Sequence, residues 1–247
     1  VGEGGDLPEQ EGVVALVGHL NSGTTIPASK LYSDANLSHV SPSATAVKLT
    51  EQGFKTTFRV VARDDKQGAA LANFAAGPLK AKSVAVIDDR TPYGQGLADE
   101  FEKFAKEKGM KVVGREFTND KASDFNAILT KVRSMKPDVV MYGGMDATAG
   151  PMAKQMKQLG MKSTLLAGDG VCSPEFIKLA GNAADIMKCS NAGEAVEKLA
   201  KGADFVAKYK KRFNTDVQVY SPYSYDAVYV IVEAIKKAGK ADRGAIT

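Results

Sequence analysis

The stretch SVAVIDDRTPYGQGLADEFEKFAKEKGMKVVGREF, residues 83–117, decides the fold. It opens on a short apolar run, 83–87, with no polar alternation, which reads as a strand buried on both faces. An amphipathic helix follows over 94–108, with Leu97, Phe101, Phe104 and Ala105 on one face and Gly109 as its stop. The segment 111–117 reads as the next strand. Strand, crossover helix and strand make a βαβ unit, whose strands run parallel.

Outward from this unit the same alternation continues in both directions. Strands are expected at 13–17, 38–40, 56–61, 139–142, 164–167 and 186–190. Helices are expected at 26–35, 67–79, 125–135, 147–159, 176–179, 203–213 and 225–238. The β–α unit recurs about every 25 to 30 residues, the length such crossovers need. The fold class is therefore α/β with parallel sheets. No Ser/Pro-rich linker divides the chain, so two lobes would be joined by short strands.

Composition excludes several classes of function. The chain has 247 residues, 44% of them hydrophobic and 25% charged, which are ordinary globular values. No window approaches the ~20 apolar residues of a membrane helix. Thirty-three basic and twenty-nine acidic residues leave a net charge of +4, spread along the chain. Lys208, Lys210, Lys211 and Arg212 fall within a helical pattern and read as a solvated face; the clustered aromatics of a nucleic-acid surface are missing.

Two cysteines, Cys172 and Cys189, leave two readings open. One is a disulfide closing a short loop, worth about 3 kcal/mol and implying an oxidising compartment. The other is a pair of buried thiols in a cytosolic protein. A metal site needs more ligands than these, and the two histidines, His19 and His39, lie far away in sequence. Asn36-Leu37-Ser38 matches the glycosylation sequon, a pattern common by chance.

Ligands of open parallel sheets sit beyond the carboxyl ends of the strands, so the loops there are the place to look. After the first strand come Gly18-His19-Leu20-Asn21-Ser22-Gly23-Thr24-Thr25 and then a helix. Ser22, Thr24 and Thr25 are capping residue types, and unpaired N–H groups at a helix start favour a carboxylate or phosphate. His19 reads as a loop brace rather than a base. The next loop, Ser41-Pro42-Ser43-Ala44-Thr45, repeats the small hydroxyl residues. Tyr93 stands at the mouth of the loop after 83–87, either covering a ligand or pinning a turn. Gly143-Gly144-Met145-Asp146 follows another strand, and Asp169 lies between two glycines after 164–167, as a cation ligand or a turn former. The nucleophile elbow G-x-S-x-G, the phosphate loop GxxxxGK[ST], the HExxH pair and the dinucleotide glycine fingerprint are all missing. No catalytic residue, metal or cofactor is expected.

Taken in order, GHLNSGTTIPAS, SPSAT, DDRTPYGQGLADEF, DVVMYGGMDATAGPMAKQMKQLG, LLAGDGVC and YSPYSYDAVYVIVEAI closely resemble the branched-chain amino-acid-binding proteins. These are the periplasmic receptors of bacterial ABC importers, and the resemblance runs from about Gly12 to Lys237. It implies two Rossmann-like lobes joined by a hinge, residues 1–62 plus 190–247 and residues 63–189, closing on an amino acid. It implies that the Ser22 hydroxyl and nearby N–H groups hold the ligand carboxylate. The loop of Ser43, Ala44 and Thr45 would add backbone groups and the Thr45 hydroxyl. Asp169 would pair with the ammonium, where the family often has Glu. Tyr93 would wall the side-chain pocket, with Met145 and Tyr223 or Tyr220. In such an exported protein a Cys172–Cys189 disulfide is the favoured pairing, and the partner is a membrane permease, with no nucleic acid and no insertion into the bilayer.

The chain also departs from that pattern. Family members begin with two further strand–helix pairs, whereas here only Val1 to Gln10 precedes the segment that matches at 13–17, running straight into Glu11-Gly12. Residues 5–10 resemble the Gly-Asp-Pro loop that opens the second of those helices, and the chain stops at Thr247, before the family's last strands. A first lobe incomplete at both ends is the resulting expectation. Two rival readings are a sensory receptor for an amino acid or amide on the same fold, and a cytosolic α/β enzyme.

Overall fold

A computed structural model describes residues 10 and 12–247. The loop expected at 5–10 lies outside the described residues except for Gln10. The chain divides into two compact units, the first running up to Ala62 and again from Gly193 to Thr247, the second Arg63–Ala192.

The first unit holds a three-stranded parallel sheet of β1 (Ala15–Val17), β2 (Ser38–Ser41) and β3 (Thr57–Arg59), in that order. Helix α1 (Ser22–Asp34) joins β1 to β2. It begins earlier than position 26. The Asn21 carbonyl accepts the N–H groups and hydroxyls of both Thr24 and Thr25, which winds the first turn before Ile26 is reached. Pro27 therefore sits inside the helix, where its missing N–H leaves the Gly23 carbonyl without its helical donor. Tyr32 and Ala28 of this helix bury against Leu37, Leu16 and Val13. A single turn, α2 (Lys48–Glu51), precedes β3.

The second unit is a five-stranded parallel sheet. Its elements are α3 (Asp64–Ala76), β4 (Ser83–Asp88), α4 (Pro92–Glu107), β5 (Lys111–Phe117), α5 (Asn126–Ser134), β6 (Val139–Gly143), α6 (Asp146–Gln158), β7 (Thr164–Ala167), α7 (Pro174–Ala180) and β8 (Met187–Cys189). The strand order is β5-β4-β6-β7-β8. Alternate residues of one strand feed two different cores. Val84 and Val86 face Leu71, Leu97 and Phe101 of α3 and α4. Ala85 and Ile87 face Leu129, Met152 and Phe176 of α5, α6 and α7. This is why the strands read as unbroken apolar runs.

The strand order reverses between β4 and β6: the chain leaves β4 for β5 on one side and returns to β6 on the other. Helix α4 covers one face and α6 the opposite one, so the chain turns to opposite faces of the sheet after these two adjacent strands. Two glycines make the approach possible there. A Cβ on Gly143 would fall on the Gly94 carbonyl oxygen, and one on Gly94 would fall on the Gly143 carbonyl oxygen and Asp89 Oδ1.

The chain then returns to the first unit with α8 (Gly202–Phe213) and α9 (Ser221–Ala238). Helix α9 lies against β1 and β2, and Arg243 beyond it donates to the carbonyls of Val13 and Ala35. Both helices end on a left-handed residue, Asn214 and Gly239. No helix among the described residues is long and apolar enough to cross a membrane.

Candidate functional site

In the first unit two loops beyond the strands are sewn together by serine hydroxyls. Ser41 Oγ donates to the His19 carbonyl at 2.7 Å and accepts the Ala44 N–H at 2.9 Å and, weakly, the Ser43 N–H at 3.4 Å. Ser43 Oγ donates to the Leu20 carbonyl at 2.8 Å. Ser22 Oγ accepts the Ala46 N–H at 3.1 Å. Arg59 steadies the same loop from β3, donating to the Ala44 carbonyl at 3.0 Å.

These bonds bring Ser22, Ser43, Ala44 and Thr45 into one buried cluster. They also sort its groups. The Ser43 hydroxyl and N–H and both main-chain groups of Ala44 have partners inside the protein. The Ser22 hydroxyl hydrogen, the N–H groups of Ser22 and Gly23, and the N–H and hydroxyl of Thr45 have no hydrogen-bond partner among the described residues. Five donors converge beside the start of α1, where the helix dipole adds positive potential. The arrangement suits a carboxylate.

His19 and His39 support this cluster from below. His19 Nε2 bonds the Tyr32 hydroxyl at 2.7 Å, and the two rings stack with centroids 5.8 Å apart. His39 Nδ1 bonds the Gly18 carbonyl at 3.1 Å and its Nε2 bonds Thr57 Oγ1 at 3.0 Å. Burial pushes both imidazoles below their ordinary value of 6.5. For His39 the Gly18 carbonyl opposes that shift and repulsion from His19 adds to it.

In the second unit the loops after β4, β6 and β7 meet. Asp89 Oδ1 accepts the N–H and hydroxyl of Thr91, whose own Oγ1 caps α4 by accepting the Gly94 N–H at 3.0 Å. Pro92 then occupies the first helical position, and Tyr93 follows at the mouth. Burial raises the Asp89 carboxyl above its ordinary value, against the two bonds from Thr91. Met145 is the residue before α6 and packs into the same apolar cluster as Tyr93.

Asp169 opens a single 3-10 turn, Asp169–Val171, directly beyond β7. It is only 3% exposed. Its Oδ1 accepts the Tyr93 hydroxyl at 3.0 Å and Gln67 Nε2 at 2.8 Å. The Gly170 N–H in turn donates to the Tyr93 oxygen at 3.1 Å. A Cβ on Gly170 would stand 2.7 Å from Met145 Sδ and 3.0 Å from Tyr93 Cε1, so the three loops touch. The structure thus joins Tyr93, Met145 and Asp169 as a buried acid beside an apolar wall. Cys172 and Cys189 form a disulfide with Cα atoms 5.8 Å apart, tying the turn of Asp169 to the end of β8.

Tyr223 is in the first turn of α9. Its hydroxyl donates to the Glu194 carbonyl at 2.6 Å, with its ring over Gly193. Three supporting residues carried no sequence signal of their role. Ser41 and Arg59 shape the first cluster, and Gln67 reaches Asp169 from the interior of α3. Gln67 is invisible to periodicity because a buried helical position says nothing about which polar group it meets.

The chain is 38% identical to Leu/Ile/Val-binding protein homolog 1 of Brucella abortus over 233 residues, covering 94% of this chain and 62% of the relative. It is 33% identical over 232 residues to the leucine-, isoleucine-, valine-, threonine- and alanine-binding protein of Pseudomonas aeruginosa, again covering 94% and 62%. This chain thus spans less than two thirds of the length of these relatives. A leucine binding protein of Thermotoga maritima superposes with a TM-score of 0.91 at 30% identity, over 98% of this chain and 69% of that one. The isoleucine complex of a branched-chain amino acid transporter substrate binding protein from Streptococcus pneumoniae gives 0.86 at 28% identity, over 98% and 69%. Residues 6–247 match the family described as periplasmic binding protein, and the chain is a member of that family.

Proposed function

We propose that the chain is an extracytoplasmic receptor of an ABC importer that binds an apolar α-amino acid and passes it to a membrane permease. The observation that carries this reading is that the two units each hold one of two chemically opposite clusters. One offers five donors around Ser22 and Thr45; the other offers the buried carboxylate of Asp169 beside Tyr93 and Met145. A zwitterion needs both, a donor set for its carboxylate and an acid for its ammonium. Ser22 and Thr45 hold the carboxylate end, Asp169 and the Ser43 carbonyl the ammonium, and Tyr93 and Met145 flank the side chain. Tyr223 and Ala44 act through the main chain they support.

A thermal-shift screen of the ligand-stripped chain against the twenty amino acids tests this. Binding to the folded state raises the melting temperature by a free energy of RT ln(1 + [L]/Kd). A rise with leucine, isoleucine or valine is expected. A cooperative melt that none of the twenty moves would overturn the reading.

A further inference from the structure

We infer that Gln67 is the positioning residue for Asp169, setting the carboxylate that the proposed function assigns to the ligand ammonium. The inference rests on that reading for its consequence but not for its geometry. Gln67 sits in α3, is 2% exposed, and has its amide engaged at both ends. Its Nε2 donates to Asp169 Oδ1 at 2.8 Å and, at 3.3 Å, to Asp64 Oδ1. Its Oε1 accepts the Ser190 hydroxyl at 2.7 Å. The amide orientation follows from chemistry: ionised carboxylates only accept, so the nitrogen must face the acids and the oxygen must face Ser190.

One neutral amide therefore bridges two buried acids, Asp64 at 0% and Asp169 at 3% exposure, without adding charge. Tyr93 and Gln67 both load Asp169 Oδ1, and two donors on one oxygen fix the rotation of the carboxylate. The far end of the chain is fixed as well. Ser190 directly follows Cys189 of the Cys172–Cys189 bridge, and its main-chain carbonyl oxygen lies in contact with Cys172 Sγ at 3.4 Å. The bridge, Ser190, Gln67 and Asp169 make one connected support for a single acid.

The test combines ligand-free and ligand-bound measurements on the whole chain. In crystals of ligand-free Gln67→Leu, the Asp169 carboxylate should rotate away from its wild-type orientation; an unchanged orientation overturns the inference. In calorimetry with leucine, Gln67→Leu should weaken affinity roughly tenfold or more, and Gln67→Glu, which keeps the shape but opposes two carboxylates, should weaken it further. The same Gln67→Leu change made in an Asp169→Ala background should have no further effect, because its whole action passes through that acid. Additive losses would overturn the inference. With 2-hydroxy-4-methylpentanoate, which lacks the ammonium, wild type and Gln67→Leu should bind alike; an equal loss for both ligands would show a merely structural role. If Asp169→Ala itself leaves leucine affinity intact, the receptor reading fails at this residue, and the ligand-free crystals still decide whether Gln67 sets the acid.

Discussion

The two units present their polar groups in opposite ways. The first works with short side chains and main-chain donors. Serine hydroxyls sew two loops together, and the groups left over are three N–H groups and two hydroxyls at or beside a helix start. The second works with long side chains converging on one buried carboxylate. The packing contrasts in the same direction. Two cores cover both faces of the five-stranded sheet, whereas the buried cluster of the first unit is small. Leu20, Phe58, Phe213, Tyr225 and Tyr229 of the first unit are all at least 40% exposed. The lesson is that a donor cluster made of backbone depends on loop geometry, while an acid cluster depends on side-chain identity. The two halves should fail differently under mutation.

The largest expected effect is on the acid side. Asp169→Ala should cost about 3 kcal/mol in leucine binding, because a buried ammonium loses its charged partner. Ser22→Ala should cost less, since four of the five donors remain. Calorimetry of both variants checks the order, and equal losses would break the contrast. Next comes the bridge. Removing both cysteines as Cys172→Ser/Cys189→Ser should destabilise the second unit by about 3 kcal/mol through the loop it closes. Hydrogen exchange should show faster opening of β7 and β8, with β1 to β3 unchanged; uniform acceleration would argue against separate units.

On the donor side, Ser41→Ala removes one bond given and two received in a buried site, for about 2 kcal/mol. It should loosen residues 41–46 and weaken binding although Ser41 is not a proposed ligand contact. Affinity equal to wild type, measured by calorimetry, would show that the loop holds without its stitch. The smallest effect is on pH dependence. His19 and His39, the chain's only two histidines, both lie in the first unit. Their pKa values are depressed on folding, so the unfolded chain binds more protons near pH 6. Stability of the first unit is therefore full above the ordinary value of 6.5 and falls as pH drops below it. Melting curves from pH 7.5 to 5.5 should show this loss, and His39→Gln should flatten it.

Most of the second unit was legible because its central strands β4, β6 and β7 are apolar on both faces. Every strand, from 13–17 to 186–190, appears with ends shifted by a few residues, and β5 and β7 match their expected bounds. Two misreadings have local causes. The start of α1 was expected at Ile26, because threonines and a proline resemble a cap rather than a first turn. Helix α2, four residues long, is too short for periodicity to register. The site was legible as a set of loops and much less so as a set of roles. Ser41 and Ser43 belong to the same residue type as Ser22, yet only the fold shows that they tie loops together. Gln67 lies 102 residues from Asp169, a pairing that no local pattern encodes.

The mutual approach of Gly94 and Gly143 sets a limit for anyone re-engineering this chain as the receptor proposed above. Positions 93 and 145 carry side chains of the apolar wall proposed to flank the ligand, and on that proposal they are the ones to randomise for a larger or smaller ligand. Positions 94 and 143 are the keystone between them: any side chain there would drive two main chains apart and dismantle the rim on which the new specificity was to be built.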